Sequence, residues 1–255
     1  MPENLNINIM ENKKLKVIAL SDTHGNLPKI KEEFDLMLVC GDVCPAHGHY
    51  YAYQKEWILS DYCDWINSLP FHDERSQVVM VGGNHDFFFE RATDEDIAEI
   101  TKNTNSRLVV LKNETYEFEY ADNNGRLHTL KIFGTPYCKK FGNWAFNLSD
   151  ESLRKKYKKC PEGIDIIISH DSPVLNELGK INQGWQKGKN VGNAVLDELI
   201  YRVKPKWFFS GHIHTGNHNL IETKAPDCDD IIRMANVSYL DEDYMPAYEP
   251  LILEI

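Results

Sequence analysis

Short apolar runs along the chain predict buried β-strands separated by polar turns. Each run has five or six residues, rich in β-branched and other apolar side chains, which suits a buried strand better than a helix. The predicted strands are Lys16–Leu20, Asp35–Cys40, Gln77–Val81, Ile164–Ser169 and Lys206–Ser210.

Two segments show the spacing of amphipathic helices. Between the second and third strands, apolar residues recur every three or four positions, which predicts a helix over Tyr53–Leu69 that ends before Pro70. The same pattern predicts a helix over Asn193–Val203, with Pro205 just beyond its end.

One pair of segments has the alternation of a β-hairpin. Glu114–Tyr120 and Arg126–Phe133 alternate apolar and polar residues on either side of Asn124-Gly125, a dipeptide that favours a tight hairpin turn. Strands thus alternate with helices early in the chain, and hairpin strands follow. The residues therefore predict an α/β protein with either one mixed sheet or two sheets.

Composition excludes several classes of protein. The chain has 255 residues, 42% hydrophobic and 26% charged, with no repeats or low-complexity tracts, so disordered and fibrous architectures are excluded. We expect a flexible N-terminal segment over residues 1–14 and a single domain over residues 15–255. The formal charge of -11 argues against binding polymeric nucleic acid or an anionic membrane through bulk charge.

The compartment is predicted by default rather than by a positive signal. Residues 1–14 are polar and lack the apolar core of a signal peptide, and no apolar run is long enough to span a membrane. The six cysteines show no C-x-x-C spacing and are expected to be reduced thiols in the cytoplasm. Cys40 and Cys44 flank Gly41-Asp42 and are either metal ligands or, more commonly for such residues, small buried apolar side chains.

Polar side chains with metal-binding chemistry cluster where the predicted strands end. Because ligand sites of α/β proteins form at the carboxyl ends of strands, these clusters are expected to converge. The clusters are Ser21-Asp22-Thr23-His24-Gly25, Gly41-Asp42, Gly82-Gly83-Asn84-His85-Asp86, Ser169-His170-Asp171 and Gly211-His212-Ile213-His214.

The donor types and their number predict a centre of two metal ions. Carboxylate, amide oxygen and imidazole nitrogen suit manganese, iron, zinc or nickel, and alternate residues of an extended segment can present two ligands together. Seven donors exceed the needs of one tetrahedral ion, and Asp42, on the strand placed beside the first, is the expected bridge. The candidate ligands are Asp22, His24, Asp42, Asn84, His170, His212 and His214.

The five clusters, in this order, resemble the calcineurin-like metallophosphoesterase superfamily, whose pattern reads D-x-H, GD, GNH[DE], H and GHxH. Three further stretches resemble the branch called metallophosphoesterase-domain-containing proteins, which includes phosphodiesterases active on cyclic nucleotides. These stretches are Phe133-Gly134-Thr135-Pro136-Tyr137, Phe141-Gly142-Asn143-Trp144-Ala145-Phe146-Asn147 and Pro161-Glu162-Gly163-Ile164-Asp165-Ile166.

The resemblance implies a fold and a role for each motif residue. It implies a four-layer α/β/β/α sandwich with two mixed β-sheets. Asp22, His24 and His214 would hold one metal ion, and Asn84, His170 and His212 the other, with Asp42 bridging. His85 would be the acid beside the phosphate, and Asp86 would either orient His85 or act as a turn carboxylate.

The expected activity is phosphoester hydrolysis by attack of a metal-bound hydroxide on phosphorus. The substrate is expected to be a small phosphodiester, with a cyclic nucleotide as one candidate, because the metal motifs contain no arginine to grip a dianionic monoester. A phosphomonoesterase or protein phosphatase with the same centre, and a non-catalytic scaffold, are the alternatives.

Four residues outside the motifs have open roles. Trp144 and Phe146 could stack on a nucleobase, although core packing is expected for at least one of them. His47 and His49 follow the Asp42 loop and either line the mouth of the pocket or are exposed loop residues. The oligomeric state is left open.

Overall fold

The computed structural model describes residues 14–122, 124–225 and 227–255. Residues 1–13 of the predicted N-terminal segment lie outside these ranges. The strands are β1 Lys16–Leu20, β2 Leu36–Val39, β3 Gln77–Val81, β4 Leu108–Leu111, β5 Glu114–Ala121, β6 Leu127–Thr135, β7 Cys138–Lys139, β8 Asn147–Leu148, β9 Ile166–Ser169, β10 Trp207–Ser210, β11 Ile221–Lys224, β12 Ile231–Asn236 and β13 Leu251–Glu254.

The helices are short and lie between the strands. They are α1 Tyr51–Trp57, α2 Cys63–Asn67, α3 Phe87–Arg91, α4 Asp94–Asn103, α5 Asp150–Tyr157 and α6 Ala194–Val203. A π-helical turn at Ile58–Tyr62 joins α1 to α2, and a 3₁₀ turn covers Leu175–Glu177. Among the described residues, no helix is long and apolar enough to cross a membrane.

Most of the strands belong to two large mixed sheets. The first has the strand order β13-β1-β2-β3-β4, in which β1 to β4 are parallel and β13 is antiparallel to β1. The second has the order β11-β12-β10-β9-β6-β5, with β12, β10, β9 and β6 parallel and the outer strands antiparallel. Parallel pairing places the carboxyl ends of neighbouring strands at a common edge, which is where the predicted polar clusters lie.

The core has an inner layer between the sheets and outer layers beneath the helices. Along β1, Val17 and Ala19 join the inner cluster, whereas Ile18 and Leu20 pack in the cluster that contains the helix residues. Successive side chains of a strand point to opposite faces, so a continuous apolar run is buried on both. The fold is the predicted α/β/β/α sandwich with two mixed sheets.

The predicted elements are found with small changes of boundary. The hairpin pairs β5 with β6 in antiparallel register from Glu114↔Gly134 to Ala121↔Leu127. The predicted helix over Tyr53–Leu69 starts two residues earlier, at Tyr51, and is interrupted by the π-helical turn. The other predicted helix begins at Ala194, because the side chain of Asn193 caps it by accepting the Val195 N–H.

The buried carboxylate of Asp96 links α4 to α1 through hydrogen bonds. Asp96 forms a capping box with Thr93 at the start of α4. The same carboxylate accepts hydrogen bonds from the Tyr51 hydroxyl at 2.5 Å and from Lys55 Nζ at 2.6 Å. The Lys55 hydrogen bond, with those of Thr93 and Tyr51, holds the pKa of Asp96 well below its ordinary value.

Asp96→Asn is expected to lower the free energy of unfolding by about 1–2 kcal/mol, because the cap weakens and the Lys55 ion pair is lost. Urea unfolding followed by circular dichroism measures the difference, with Asp94→Asn, an exposed neighbour in the same turn, as the control. Equal midpoints for the two variants would contradict this role.

The stabilisation by Asp96 is expected to depend on pH. Its carboxyl pKa is lower in the folded chain than in the unfolded one, so the contribution is present above the unfolded value of about 3.9 and is lost as pH falls through the folded value. Urea midpoints of wild type and Asp96→Asn should therefore differ at pH 7, and the difference should shrink progressively as pH falls below about 4. A difference that persists unchanged at low pH would show that ionisation of Asp96 is not its source.

Candidate metal centre

Five strand ends from the two sheets meet at one place. Three belong to the first sheet, where Asp22 and His24 follow β1, Asp42 follows β2 and Asn84 follows β3. The second sheet contributes His170 after β9 and the pair His212 and His214 after β10. All seven predicted ligands are thereby brought together at the edge where the sheets adjoin.

The turns that carry these side chains have unusual backbone conformations. Asp22, His24, Asp42 and His212 have φ values of 55°, 43°, 52° and 70°. Non-glycine residues adopt this left-handed region at a cost, and such residues are concentrated at functional sites. Four of the seven predicted ligands therefore have a strained backbone conformation.

Two glycines allow the strand ends to approach each other. A β-carbon on Gly83 would lie 2.2 Å from Asp42 Oδ1, and one on Gly211 would lie 2.2 Å from Asp22 Oδ2. Any side chain at either position would push a carboxylate out of place.

One group of donors consists of Asp22, His24 and His214, whose candidate ligand atoms all lie within 4.8 Å of one another. The Asp22 carboxylate accepts the backbone N–H of His212 and the Ser238 hydroxyl, at 2.9 and 2.8 Å. His214 donates from Nδ1 to the Asp241 carbonyl at 2.8 Å, which leaves Nε2 turned toward Asp22 at 3.4 Å. A histidine that is held at one nitrogen presents the other to a ligand in a fixed direction.

A second group consists of Asp42, His170 and His212, again within 4.8 Å. His170 donates from Nδ1 to the Cys40 carbonyl at 2.8 Å. Its Nε2 therefore faces Asn84 Oδ1 at 2.9 Å and Asp42 Oδ2 at 3.3 Å. This group matches the second predicted ligand set, with Asn84 at its side.

Asp42 lies between the two groups. Its Oδ2 is 3.3 Å from His170 Nε2 on one side and 3.7 Å from His24 Nε2 on the other. A single carboxylate between two sets of donors is the arrangement expected for a ligand shared by two ions.

Positive charge is required to keep these carboxylates ionised. Burial opposes ionisation of Asp22, but the hydrogen bond and charge of His214 outweigh it and hold the pKa of Asp22 well below its ordinary value. Burial opposes ionisation of Asp42 too, and the charge and hydrogen bond of His170 hold its pKa low. In return the carboxylates outweigh burial at the imidazoles and raise the pKa of His170 to about 10 and of His214 to about 9.

Burial favours the neutral form of the other two ligand imidazoles, His24 and His212. Burial lowers the pKa of His24 to about 4 and that of His212 to about 3. Both ring nitrogens of His24 are buried without a hydrogen-bond partner among the described residues. An unpaired buried imidazole is costly unless something binds it, and a neutral nitrogen beside two carboxylates fits a metal cation. The residues therefore fit a pair of metal ions.

The two predicted catalytic residues have different surroundings. The His85 ring lies beside the centre, 4.7 Å from the His24 ring between centroids. The Asp86 carboxylate instead accepts backbone N–H groups of Cys44 at 2.9 Å, Gly83 at 2.8 Å and Val43 at 3.3 Å. These are the contacts of a turn carboxylate, and they join the loops after β2 and β3.

Two cavities flank the centre and share three side chains. One, of about 340 Å³, includes Phe141, and the other, of about 630 Å³, includes His47 and His49. The side chains common to both are His85, Trp144 and Tyr244. A larger cavity, of about 850 Å³, lies against α4 and β4 and contains none of the candidate ligands.

The four residues whose roles the sequence left open differ in position: one is in the core and three line the cavities. Phe146 is 2% exposed and packs in the core, whereas Trp144 lies in both cavities. His47 and His49 line one cavity, as one of the two interpretations held. Cys40 and Cys44 are buried, and burial raises the pKa of both thiols well above the ordinary value.

Two residues of the site have no signal in the sequence. Tyr244 contacts the rings of His24 and His214, with centroids 4.8 and 5.4 Å apart. Ser238 donates to Asp22. Both lie in the C-terminal loops, beyond the last recognisable motif, and no local pattern marks them.

The sequence of this chain is similar to a known family and to curated proteins. A family model described as calcineurin-like phosphoesterase matches residues 15–216. Human metallophosphoesterase domain-containing protein 1 is 25% identical over 94% of this chain and 71% of its own length. UPF0046 protein C25E10.12 of Caenorhabditis elegans is 27% identical over all of this chain and 85% of its own length. The resemblance to the metallophosphoesterase-domain-containing branch is thus confirmed.

Solved structures share the fold. One crystal structure aligns with a TM-score of 0.58 at 13% identity, over 94% of this chain and 99% of that chain. The crystal structure of TT1561 from Thermus thermophilus aligns with a TM-score of 0.54 at 10% identity, over 95% of this chain and 99% of that chain.

Asp42→Asn is expected to lower metal content from about two ions per chain after loading with Mn²⁺, because a neutral amide offsets less charge at the shared position. Elemental analysis after removal of free metal measures the content, and the rise in melting temperature on adding Mn²⁺ provides a second readout. His128→Ala, on the distal hairpin beside Asp122, is the control. Two tightly held ions in Asp42→Asn would contradict a shared role.

Proposed function

The chain belongs to the calcineurin-like phosphoesterase family, and we propose that, within this family of metal-dependent phosphoester hydrolases, it hydrolyses small phosphodiesters. The observation that carries the proposal is the convergence of seven oxygen and nitrogen donors, Asp42 among them, beside two adjoining cavities. Asp22, His24 and His214 would hold one ion, and Asn84, His170 and His212 the other.

The two ions, when bound, would supply charge that offsets the phosphoryl oxygens and activates a water molecule for attack. Manganese, iron, zinc and nickel all suit this donor set. The protein's own residues hold the metal-binding side chains in place and orient the substrate.

Preference for a diester is supported by the charges of the cavity walls. Among the described residues that line the two cavities, there is no lysine or arginine, and Glu242 and Asp243 add negative charge. A dianionic monoester gains from a cationic side chain, whereas a monoanionic diester needs it less. A diester also carries two organic groups, and two cavities adjoin at the shared side chains of His85, Trp144 and Tyr244.

The aromatic residues favour a substrate with a planar group. Trp144 and Tyr244 line both cavities, and Phe141 lies in the smaller one, beside the His212 ring at 5.1 Å. Stacking on such rings stabilises a base by about 1–3 kcal/mol without requiring a particular base. A cyclic nucleotide combines a planar base with a single phosphodiester and is the natural substrate class to test.

His85 is proposed as the proton donor to the leaving alkoxide. Its backbone N–H is held by Asp42 Oδ1 at 2.7 Å, which fixes the residue beside the bridging ligand. Its ring lines both cavities, so it can reach an ester oxygen directed into either of them. Proton donation to a leaving group typically contributes about 10²–10⁴-fold to the rate.

The metal-loaded protein is expected to hydrolyse bis-p-nitrophenyl phosphate at least about tenfold more efficiently than p-nitrophenyl phosphate, because the cavity walls lack a cationic group for a dianion. Release of p-nitrophenolate measures kcat/KM for both, and cyclic AMP is tested by chromatography. A preference for the monoester would favour a phosphomonoesterase, and absence of turnover with metal bound would favour a scaffold.

His85→Ala is expected to keep both ions and lose about 10²–10⁴-fold in kcat, because the proton donor is removed while the proposed ligands stay. Elemental analysis and steady-state kinetics on the same preparation separate the two effects. Loss of an ion would instead make His85 a ligand, and full activity would rule out its role as an acid.

A further inference from the structure

His49 contacts the ring of His85. His49 Nε2 lies 3.2 Å from His85 Nδ1, within hydrogen-bonding distance. We propose that His49 is a positioning residue that fixes the ring orientation and tautomer of His85. The inference rests on the proposed role of His85 as the proton donor.

The backbone of His85 is already held at both ends. Its N–H donates to Asp42 Oδ1, and its carbonyl accepts from Gln54 Nε2 at 2.8 Å. The buried Gln54 also accepts the Phe88 N–H at Oε1. With the backbone held, the direction of the imidazole depends on rotation about its side-chain bonds, and contacts to the ring decide that rotation.

The rings around His85 leave it little freedom. Its ring lies on Trp144, with centroids 4.4 Å apart and planes 32° from parallel. His49 packs edge-on against the same indole at 5.1 Å and against Phe87 at 5.5 Å, so His49 is itself held. The indole supports both imidazoles, and the His49–His85 hydrogen bond joins them.

The hydrogen bond determines which nitrogen of His85 is available to a substrate. Nδ1 is occupied by His49, so Nε2 is the nitrogen free to act on an ester oxygen. When His49 donates, Nδ1 of His85 accepts, and the His85 proton resides on Nε2. That tautomer carries a proton on the free nitrogen. When Nε2 gives this proton to the leaving alkoxide, the His49 Nε2 proton passes to His85 Nδ1 and is replaced at His49 from water, so that both rings end neutral.

The carboxylate of the adjacent residue, Asp86, does not orient the His85 ring. Asp86 is committed to the backbone N–H groups of Gly83, Cys44 and Val43. The orienting group for His85 therefore comes from the loop after β2, at position 49, rather than from the adjacent residue.

The test compares two substitutions at one position. His49→Phe keeps a ring against Trp144 and Phe87 but removes the hydrogen bond, whereas His49→Gln offers an amide N–H to the same atom. Tyr50→Ala is the control, since Tyr50 is next in the chain, 79% exposed and outside both cavity walls. The substrates are diphenyl phosphate, whose leaving group needs a proton, and bis-p-nitrophenyl phosphate, whose leaving group needs it less.

His49→Phe is expected to lower kcat for diphenyl phosphate by about 10- to 100-fold, with KM within about twofold and a smaller loss for bis-p-nitrophenyl phosphate. His49→Gln should restore most of the activity, and Tyr50→Ala should match wild type. Equal losses in His49→Phe and His49→Gln, or no loss in His49→Phe, would overturn the inference.

A spectroscopic measurement tests the inference without turnover. Long-range ¹H–¹⁵N correlation spectra of the metal-free protein report the tautomer of each imidazole, and His85→Gln identifies the His85 signals. Wild type is expected to show the Nε2-protonated form, and His49→Phe a mixture or the other tautomer. An unchanged tautomer would overturn the inference. Absence of diesterase activity in wild type would overturn the proposed function alone, because the spectra would still report on His49.

Discussion

The two buried carboxylates, Asp22 and Asp42, impose the constraint on which the site depends. Each follows a parallel strand of the first sheet, is almost fully buried, and needs compensating positive charge. That charge comes from the second sheet, through His214 at Asp22 and His170 at Asp42. The sheets must therefore meet in one register at this edge, because a small shift would leave a buried anion uncompensated.

The sequence predicts those parts of the fold that local pattern determines. The bounds of β1 and β3 are predicted correctly, because apolar runs buried on both faces end where polar motifs begin. The strand expected from Ile164 begins at Ile166, and the side chain of Asp165, just before it, accepts the Lys131 N–H at 3.0 Å. The helices α4 and α5 were not predicted: they are mostly polar, and their Thr93 and Ser149 caps are the signals that could have found them.

The candidate ligands could be predicted because their motifs are contiguous in the chain, and the supporting residues could not. His49 and His85 are 36 positions apart, and nothing local to His49 indicates its partner. Tyr244 has a φ of 59°, in a loop without a sequence motif, and reaches the site only through the tertiary fold. The resemblance to a family indicated the candidate ligands, whereas the surroundings of His85 could be seen only in the three-dimensional arrangement.

The connection between Asp22 and the C-terminal part of the chain has a consequence for biosynthesis. Asp22 bonds to His212 and Ser238, which lie 190 and 216 positions later. A ribosome therefore releases β1, β2 and their two anionic turns long before it makes the residues that neutralise them. Until those residues have been made, these turns have no compensating partner, and contacts of such long range form slowly. The site can therefore be completed only after Ser238 has been made, and a chain terminated before that residue would lack it.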